Sequence, residues 1–161
     1  GKSKYYFDGR LISLDPEGAY LISRLILPIL IEARAEAIGG PTIGADPIVG
    51  ATVAMSRARH YPISGFLVRS NKKEHGTNQL IEGPLKNKTK VAVVDDVCTS
   101  GASLLHALEA VRERDCHVVK VIALLDWREG GSAEIKRRGY DFGSFFEGTL
   151  DGKVSVTPAC R

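Results

Sequence analysis

A chain of 161 residues, 43% hydrophobic and 25% charged, allows one domain of ordinary size with a real core. A formal net charge of +3 without a dense Lys/Arg run excludes nucleic acid as the expected partner and suits a small, phosphate-rich ligand. The strongly apolar residues 25–31 are interrupted by Pro28 and bounded by Arg24 and Glu32, too short to cross a membrane, and the first residues lack the form of a signal peptide.

Asp15-Pro16 predicts a capped helix start, with Leu21, Ile22, Leu25 and Ile29 as the buried stripe and a kink at Pro28. A short strand is expected over 35–38, running into the glycine-rich turn 39–45. Asp46-Pro47 repeats the cap-plus-proline device and predicts a helix to about His60. A strand follows over 65–69. Residues 70–90 carry no apolar periodicity, which is improbable for a passive connection and predicts a lid hinged near Gly76 and Gly83. Strands over 91–95 and 117–125 alternate with helices over 104–115 and 131–138, and a last strand is expected over 142–146. This alternation predicts an α/β fold, a mainly parallel sheet flanked by helices, with ligands at the carboxyl ends of the strands.

Three cysteines, Cys98, Cys116 and Cys160, lack C-x-x-C spacing. They fit a reducing compartment, hence a cytoplasmic location, and not a cysteine zinc site. Cys98 is expected to fill space, and Cys116 to begin a core strand.

The chemistry concentrates in Val91-Ala92-Val93-Val94-Asp95-Asp96-Val97-Cys98-Thr99-Ser100-Gly101-Ala102-Ser103. An apolar strand, two acids, a hydroxyl-rich turn and a helix start form an anion cradle, because first-turn amides lack partners and the helix dipole is positive there. The acids would repel a bare phosphate, so the ligand must also offer a diol or a bound magnesium ion. A phosphorylated ribose meets both demands: Thr99, Ser100, Ser103 and loop amides hold its phosphate, and Asp95 or Asp96 accepts from its hydroxyls. Strand alternation predicts that one acid touches the sugar and the other orients it. No Gly-Lys-Ser/Thr follows this strand, and no G-x-G-x-x-G opens a strand–helix turn.

This stretch resembles the 5-phosphoribosyl 1-pyrophosphate (PRPP) signature of type I phosphoribosyltransferases. Ser3-Lys4-Tyr5-Tyr6-Phe7-Asp8, Gly40-Pro41-Thr42-Ile43-Gly44-Ala45-Asp46-Pro47, Arg69 through Ile81-Glu82-Gly83, and Leu124-Leu125-Asp126 with Gly130-Gly131 make it most similar to the orotate phosphoribosyltransferases. The resemblance implies the type I fold in one domain over residues 1–161. It implies transfer of phosphoribosyl from PRPP to orotate with Mg2+, and a cytoplasmic homodimer. Lys73, His75, Asp95 and Asp96 are the implied catalytic residues, with Arg69, Lys73 and His75 meeting pyrophosphate. Thr99, Ser100, Gly101, Ala102 and Ser103 hold the ribose 5-phosphate, and Tyr6, Phe7 and Thr99 border the base. No direct metal ligand is implied, magnesium being held through PRPP and water near Asp95 and Asp96. The chain starts at Gly1 without Met, so the family's first element is expected to be missing.

Ser70 and Trp127 stand where the resemblance implies cations, with Arg128 one place after Trp127. Trp127 offers a stacking face where an anion grip is expected. Two alternatives therefore stay open at this stage: a non-catalytic PRPP-binding or regulatory protein, and a phosphoribosyltransferase for another base.

Overall fold

Residues 7–71, 80–149 and 151–158 are described by a computed structural model of the chain. Val91, Ala92, Val93 and Val94 are fully buried, as a strand covered on both faces requires. They lie in β4 (Lys90–Cys98), the middle of a seven-stranded sheet in the order β3-β2-β1-β4-β5-β6-β7. β1 (Ala37–Pro41), β2 (Ser64–Val68), β4, β5 (His117–Asp126) and β6 (Phe142–Gly148) run parallel. The edge strands β3 (Ile81–Glu82) and β7 (Val154–Val156) pair antiparallel to β2 and β6.

Alternation along β4 sends its side chains to two cores. Ala92 and Val94 meet Ile22, Ile26 and Leu30 of α2 (Pro16–Glu32) and Ile48 of α3 (Asp46–Ala58). Val91 and Val93 meet Leu104, Leu108 and Val111 of α4 (Ala102–Glu113) and Ile135 of α5 (Gly131–Arg137). Side chains as fully buried as Leu104 or Ile26 each contribute roughly 1.5–3 kcal/mol through loss of apolar surface to water. The layers are those expected of a mainly parallel sheet between helices. From β1 the chain moves outward to β2, and from β4 it moves the other way to β5. The order therefore reverses between β1 and β4, which opens a crevice at their carboxyl ends.

Several local expectations need correction. The first strand runs two residues later and passes through Gly39 and Gly40, which read as a turn. A Cβ on Gly39 would overlap the Phe66 ring, and one on Gly40 the Val94 carbonyl oxygen, so only glycine lets neighbouring elements close here. Asp15 caps α2 as expected, its Oδ1 accepting from the Glu17 and Gly18 amides at 3.0 Å. Asp46 does not repeat this: it is the first residue of α3, the N-cap is Ala45, and no side chain caps that end. α2 runs through Pro28 to Glu32, and its buried stripe is Ile22, Ser23, Ile26, Leu27 and Leu30, while Leu21 and Leu25 of the expected stripe are exposed. Cys116 is half-buried in the turn ahead of β5.

The segment expected to form a lid is partly built into the domain. Ile81 pairs with Val68 and is buried with Leu85 in the core. Residues 72–79 lie outside the described residues, as do Tyr6 and Cys160. A four-residue helix, α1 (Arg10–Ser13), precedes α2, and no helix is long and apolar enough to cross a membrane among the described residues.

Candidate active site

Two loops face each other across the crevice between β1 and β4. On the β4 side, Asp95 is 5% exposed, and its Oδ2 accepts from the Ser103 hydroxyl at 2.8 Å. Its Oδ1 accepts from the Asp96 amide at 2.9 Å. Burial pushes the Asp95 carboxyl up to about 7; the Ser103 hydrogen bond opposes the rise and the neighbouring Asp96 charge adds to it. The hydroxyl hydrogen of Ser103 is thereby committed to Asp95, so Ser103 would meet a phosphate through its backbone amide.

Asp96 is the more open acid, half-buried beside Asp95. A Cβ on Gly44 would lie 2.7 Å from Asp95 Oδ1 and closer still to Asp96 Oδ1. A Cβ on Gly9 would lie 2.8 Å from Asp96 Oδ2. Backbone from the β1 loop and from the segment ahead of α1 thus closes on the acid pair from two sides. The sequence reading missed Gly9 as part of this site, and it placed Gly44 in a turn that approaches a ligand without its contact on the acids. Their signal is weak, because an isolated glycine announces a turn as readily as a close approach.

Beyond Cys98 the chain turns through Thr99 and Ser100 to Gly101, whose φ of 75° starts α4 without a side-chain cap. Leaving the first turn of a twelve-residue helix uncapped keeps its amides for an anion. Thr99 is half-buried, while Ser100, Ala102 and Ser103 are exposed at the crevice. Cys98 is buried as space-filling predicts. Burial, with the Asp126 and Asp95 charges, pushes its thiol up to about 12, which leaves no thiolate for chemistry.

On the other side, the Thr42 amide donates to the Val68 carbonyl at 2.9 Å, tying the β1 loop to the end of β2. The neck of the 70–80 segment is fastened there too. The Arg69 amide donates to the Leu80 carbonyl at 2.9 Å, and the Arg69 carbonyl lies 2.9 Å from His106 Nε2 on α4. Arg69 Nη1 stands 3.5 Å from Glu82 Oε1. Thr42, Arg69, Ser70, Asn71 and Glu82 line a cavity of about 350 Å³, large enough for a phosphate group. Lys73 and His75, expected here, lie outside the described residues.

The base side differs from expectation. Trp127 is 8% exposed, and a Cβ on Gly148 would lie within its ring system, so the indole packs on the end of β6. The indole is buried by that contact, which corrects the reading of Trp127 as an open stacking platform. Arg128 turns to Glu147, Nη1 to Oε2 3.3 Å, and its amide donates to Asp126 Oδ1 at 2.8 Å. Phe7 is half-buried, next to Asp8, which Arg10 grips through Nε at 2.7 Å and Nη2 at 2.9 Å.

Comparison with known proteins agrees with this geometry. The phosphoribosyl transferase domain model matches residues 49–152. The orotate phosphoribosyltransferase of Aquifex aeolicus is 41% identical over 145 residues, covering 90% of this chain and 79% of the relative. The chain belongs to the orotate phosphoribosyltransferase family. The Synechocystis enzyme of the same name is also 41% identical, over 89% of this chain and 73% of its own length. Among solved structures, the Mycobacterium tuberculosis orotate phosphoribosyltransferase in complex with PRPP superposes with a TM-score of 0.76 at 32% identity. It covers 91% of this chain and 82% of that one. A phosphoribosyltransferase from Corynebacterium diphtheriae gives 0.79 at 32% identity, over 91% and 83%. The type I fold expected from the sequence is the fold observed.

Proposed function

We propose that this family member transfers the 5-phosphoribosyl group of PRPP to N1 of orotate, releasing pyrophosphate and forming orotidine 5′-phosphate. The observation that carries the reading is the acid pair Asp95–Asp96 set directly before an uncapped helix start at the switch point of the sheet. Asp96 accepts from the ribose hydroxyls, and the amides over 99–103 with the Thr99 and Ser100 hydroxyls hold the 5-phosphate. Asp95, held by Ser103, orients its neighbour and the sugar.

In the reaction the bond from C1 to the pyrophosphate oxygen breaks and the bond from C1 to the pyrimidine nitrogen forms. Positive charge develops on the sugar as in glycoside cleavage, so catalysis is positioning and charge stabilisation with no covalent nucleophile. Arg69 meets the pyrophosphate, Lys73 and His75 neutralise or protonate the leaving oxygens, and Tyr6, Phe7 and Thr99 border the base. Among the described residues no group of three or more His, Cys, Asp or Glu could cage a metal. Two adjacent carboxylates suit a hard cation that keeps its waters, so Asp95 and Asp96 would hold Mg2+ through water and PRPP. Bound there, it supplies charge neutralisation on the pyrophosphate. The reading includes a homodimer acting in the cytoplasm, as the family resemblance implies.

A second reading, transfer to a base without a carboxylate, is favoured by two features: Trp127 is packed away and Arg128 is engaged by Glu147. Following pyrophosphate release from PRPP and Mg2+ with orotate, uracil and adenine separates the two. Orotate-dependent release supports the first reading; release with uracil or adenine alone supports the second; PRPP binding without release from any base would contradict both.

A further inference from the structure

We propose that Gly131 is a positioning residue for the ribose-phosphate loop: it sets where that loop's amides point without touching the ligand. The inference rests on the reading of residues 99–103 as the 5-phosphate site. Three contacts carry it. The Gly131 amide donates to the Thr99 carbonyl at 3.0 Å. A Cβ on Gly131 would lie 2.6 Å from the Thr99 carbonyl oxygen and 2.6 Å from the Ser100 carbonyl carbon, and closer still to the Gly101 amide nitrogen. In return, a Cβ on Gly101 would lie 2.9 Å from the Gly131 Cα. Two glycines from different turns therefore meet backbone to backbone, and every atom a methyl group would strike belongs to the loop itself.

Neither side can yield without moving the site. The loop is pinned ahead of the contact by the Trp127 amide on the Cys98 carbonyl at 2.9 Å, and behind it by the Leu105 amide on the Gly101 carbonyl at 2.8 Å. Trp127 is wedged against Gly148, which fixes the start of the brace. Gly131 is buried, and its helix is anchored by the fully buried Ile135. A methyl group at 131 must therefore displace the peptides between Thr99 and Gly101, whose N–H groups belong to the proposed 5-phosphate site. Its neighbour Gly130 makes an internal control. Gly130 has a φ of 101° but nothing within 4 Å of an added Cβ, so alanine there strains its own backbone and pushes on nothing.

Calorimetric titration of Gly131→Ala and Gly130→Ala with ribose 5-phosphate, and with PRPP and Mg2+, tests this. For Gly131→Ala we expect affinity for both ligands to fall by about tenfold or more, and KM for PRPP to rise while KM for the base stays within about twofold. For Gly130→Ala we expect a lower Tm with affinity within about twofold of wild type. Equal affinities of Gly131→Ala and wild type would overturn the inference and leave the site reading intact, whereas a wild type that binds neither ligand would remove both. Should Gly131→Ala fail to fold, amide exchange in the wild type decides. Ribose 5-phosphate should slow exchange at Gly131 together with the amides over 100–103, and an unchanged Gly131 amide would overturn the inference.

Discussion

The turns that follow β4 and β5 share a backbone plan. Each ends a buried parallel strand, and each enters its helix through a left-handed glycine, with φ of 75° at Gly101 and 101° at Gly130 and no side-chain cap on either helix. They differ in where their polar groups go. After β5, Asp126 takes the Arg128 amide, Arg128 takes Glu147, and Trp127 covers Gly148. After β4, Asp95 and Ser103 satisfy each other, while Asp96 is only half-buried and no side chain caps the first turn of α4. The β5 turn folds onto itself and braces its neighbour; the β4 turn leaves its polar groups for the proposed PRPP site. A charged strand–turn–helix motif is thus a site only where its polar groups are not already answered from within.

Several substitutions would break or sharpen this contrast. Trp127→Ala should have the largest effect, a loss of stability of about 3–5 kcal/mol from emptying a buried aromatic site, read as a lower denaturation midpoint. A near-neutral result would mean that the β5 turn is not a brace. Lys73→Ala examines charge that neither turn supplies: kcat should fall by about tenfold or more, ~1.4 kcal/mol of transition-state stabilisation, at least as strongly as binding. A change in KM alone would assign Lys73 to substrate capture.

Asp95→Asn examines the buried end of the binding turn through pH. With its folded value at about 7 against an ordinary 3.8, native Asp95 keeps a proton that the unfolded chain has already released. This group therefore makes the protein less stable as pH rises from about 4 to about 7, and the full penalty persists above that. Asp95→Asn should accordingly raise Tm by a few degrees near pH 8 and give little gain near pH 4, although it impairs catalysis. A gain independent of pH would contradict the assignment. Arg128→Ala should have the smallest effect, under about 1 kcal/mol, because its pair with Glu147 leaves the Arg128 side chain 65% exposed. Its KM for orotate should also stay within about twofold, and a large rise would show that Arg128 leaves Glu147 to grip the base.

The sequence made the binding turn legible because that turn is local. A buried apolar strand, two acids, hydroxyls and a helical stripe follow one another within about twenty residues, and each has its own physical signature. The parallel sheet followed from the same alternation. What stayed hidden depends on partners far along the chain. Trp127 reads as a platform until Gly148 is placed beneath it, and Gly131 reads as a turn residue until Gly101 is placed against it. Gly39 and Gly40 likewise suggest a turn, yet they are strand residues made small for Phe66 and Val94. The edge strands β3 and β7, two and three residues long, are too short to show a period of two.

The central claim is that the turn after β4, led by Asp96, is where PRPP binds. Calorimetric titration of wild type and Asp96→Asn with PRPP and Mg2+ tests it most directly, with Tm measured on the same samples. The account predicts that wild type binds, and that the variant binds about tenfold or more weakly at an unchanged Tm, because a half-buried acid at a strand end carries little of the core. Equal affinity of the two proteins for PRPP would contradict it.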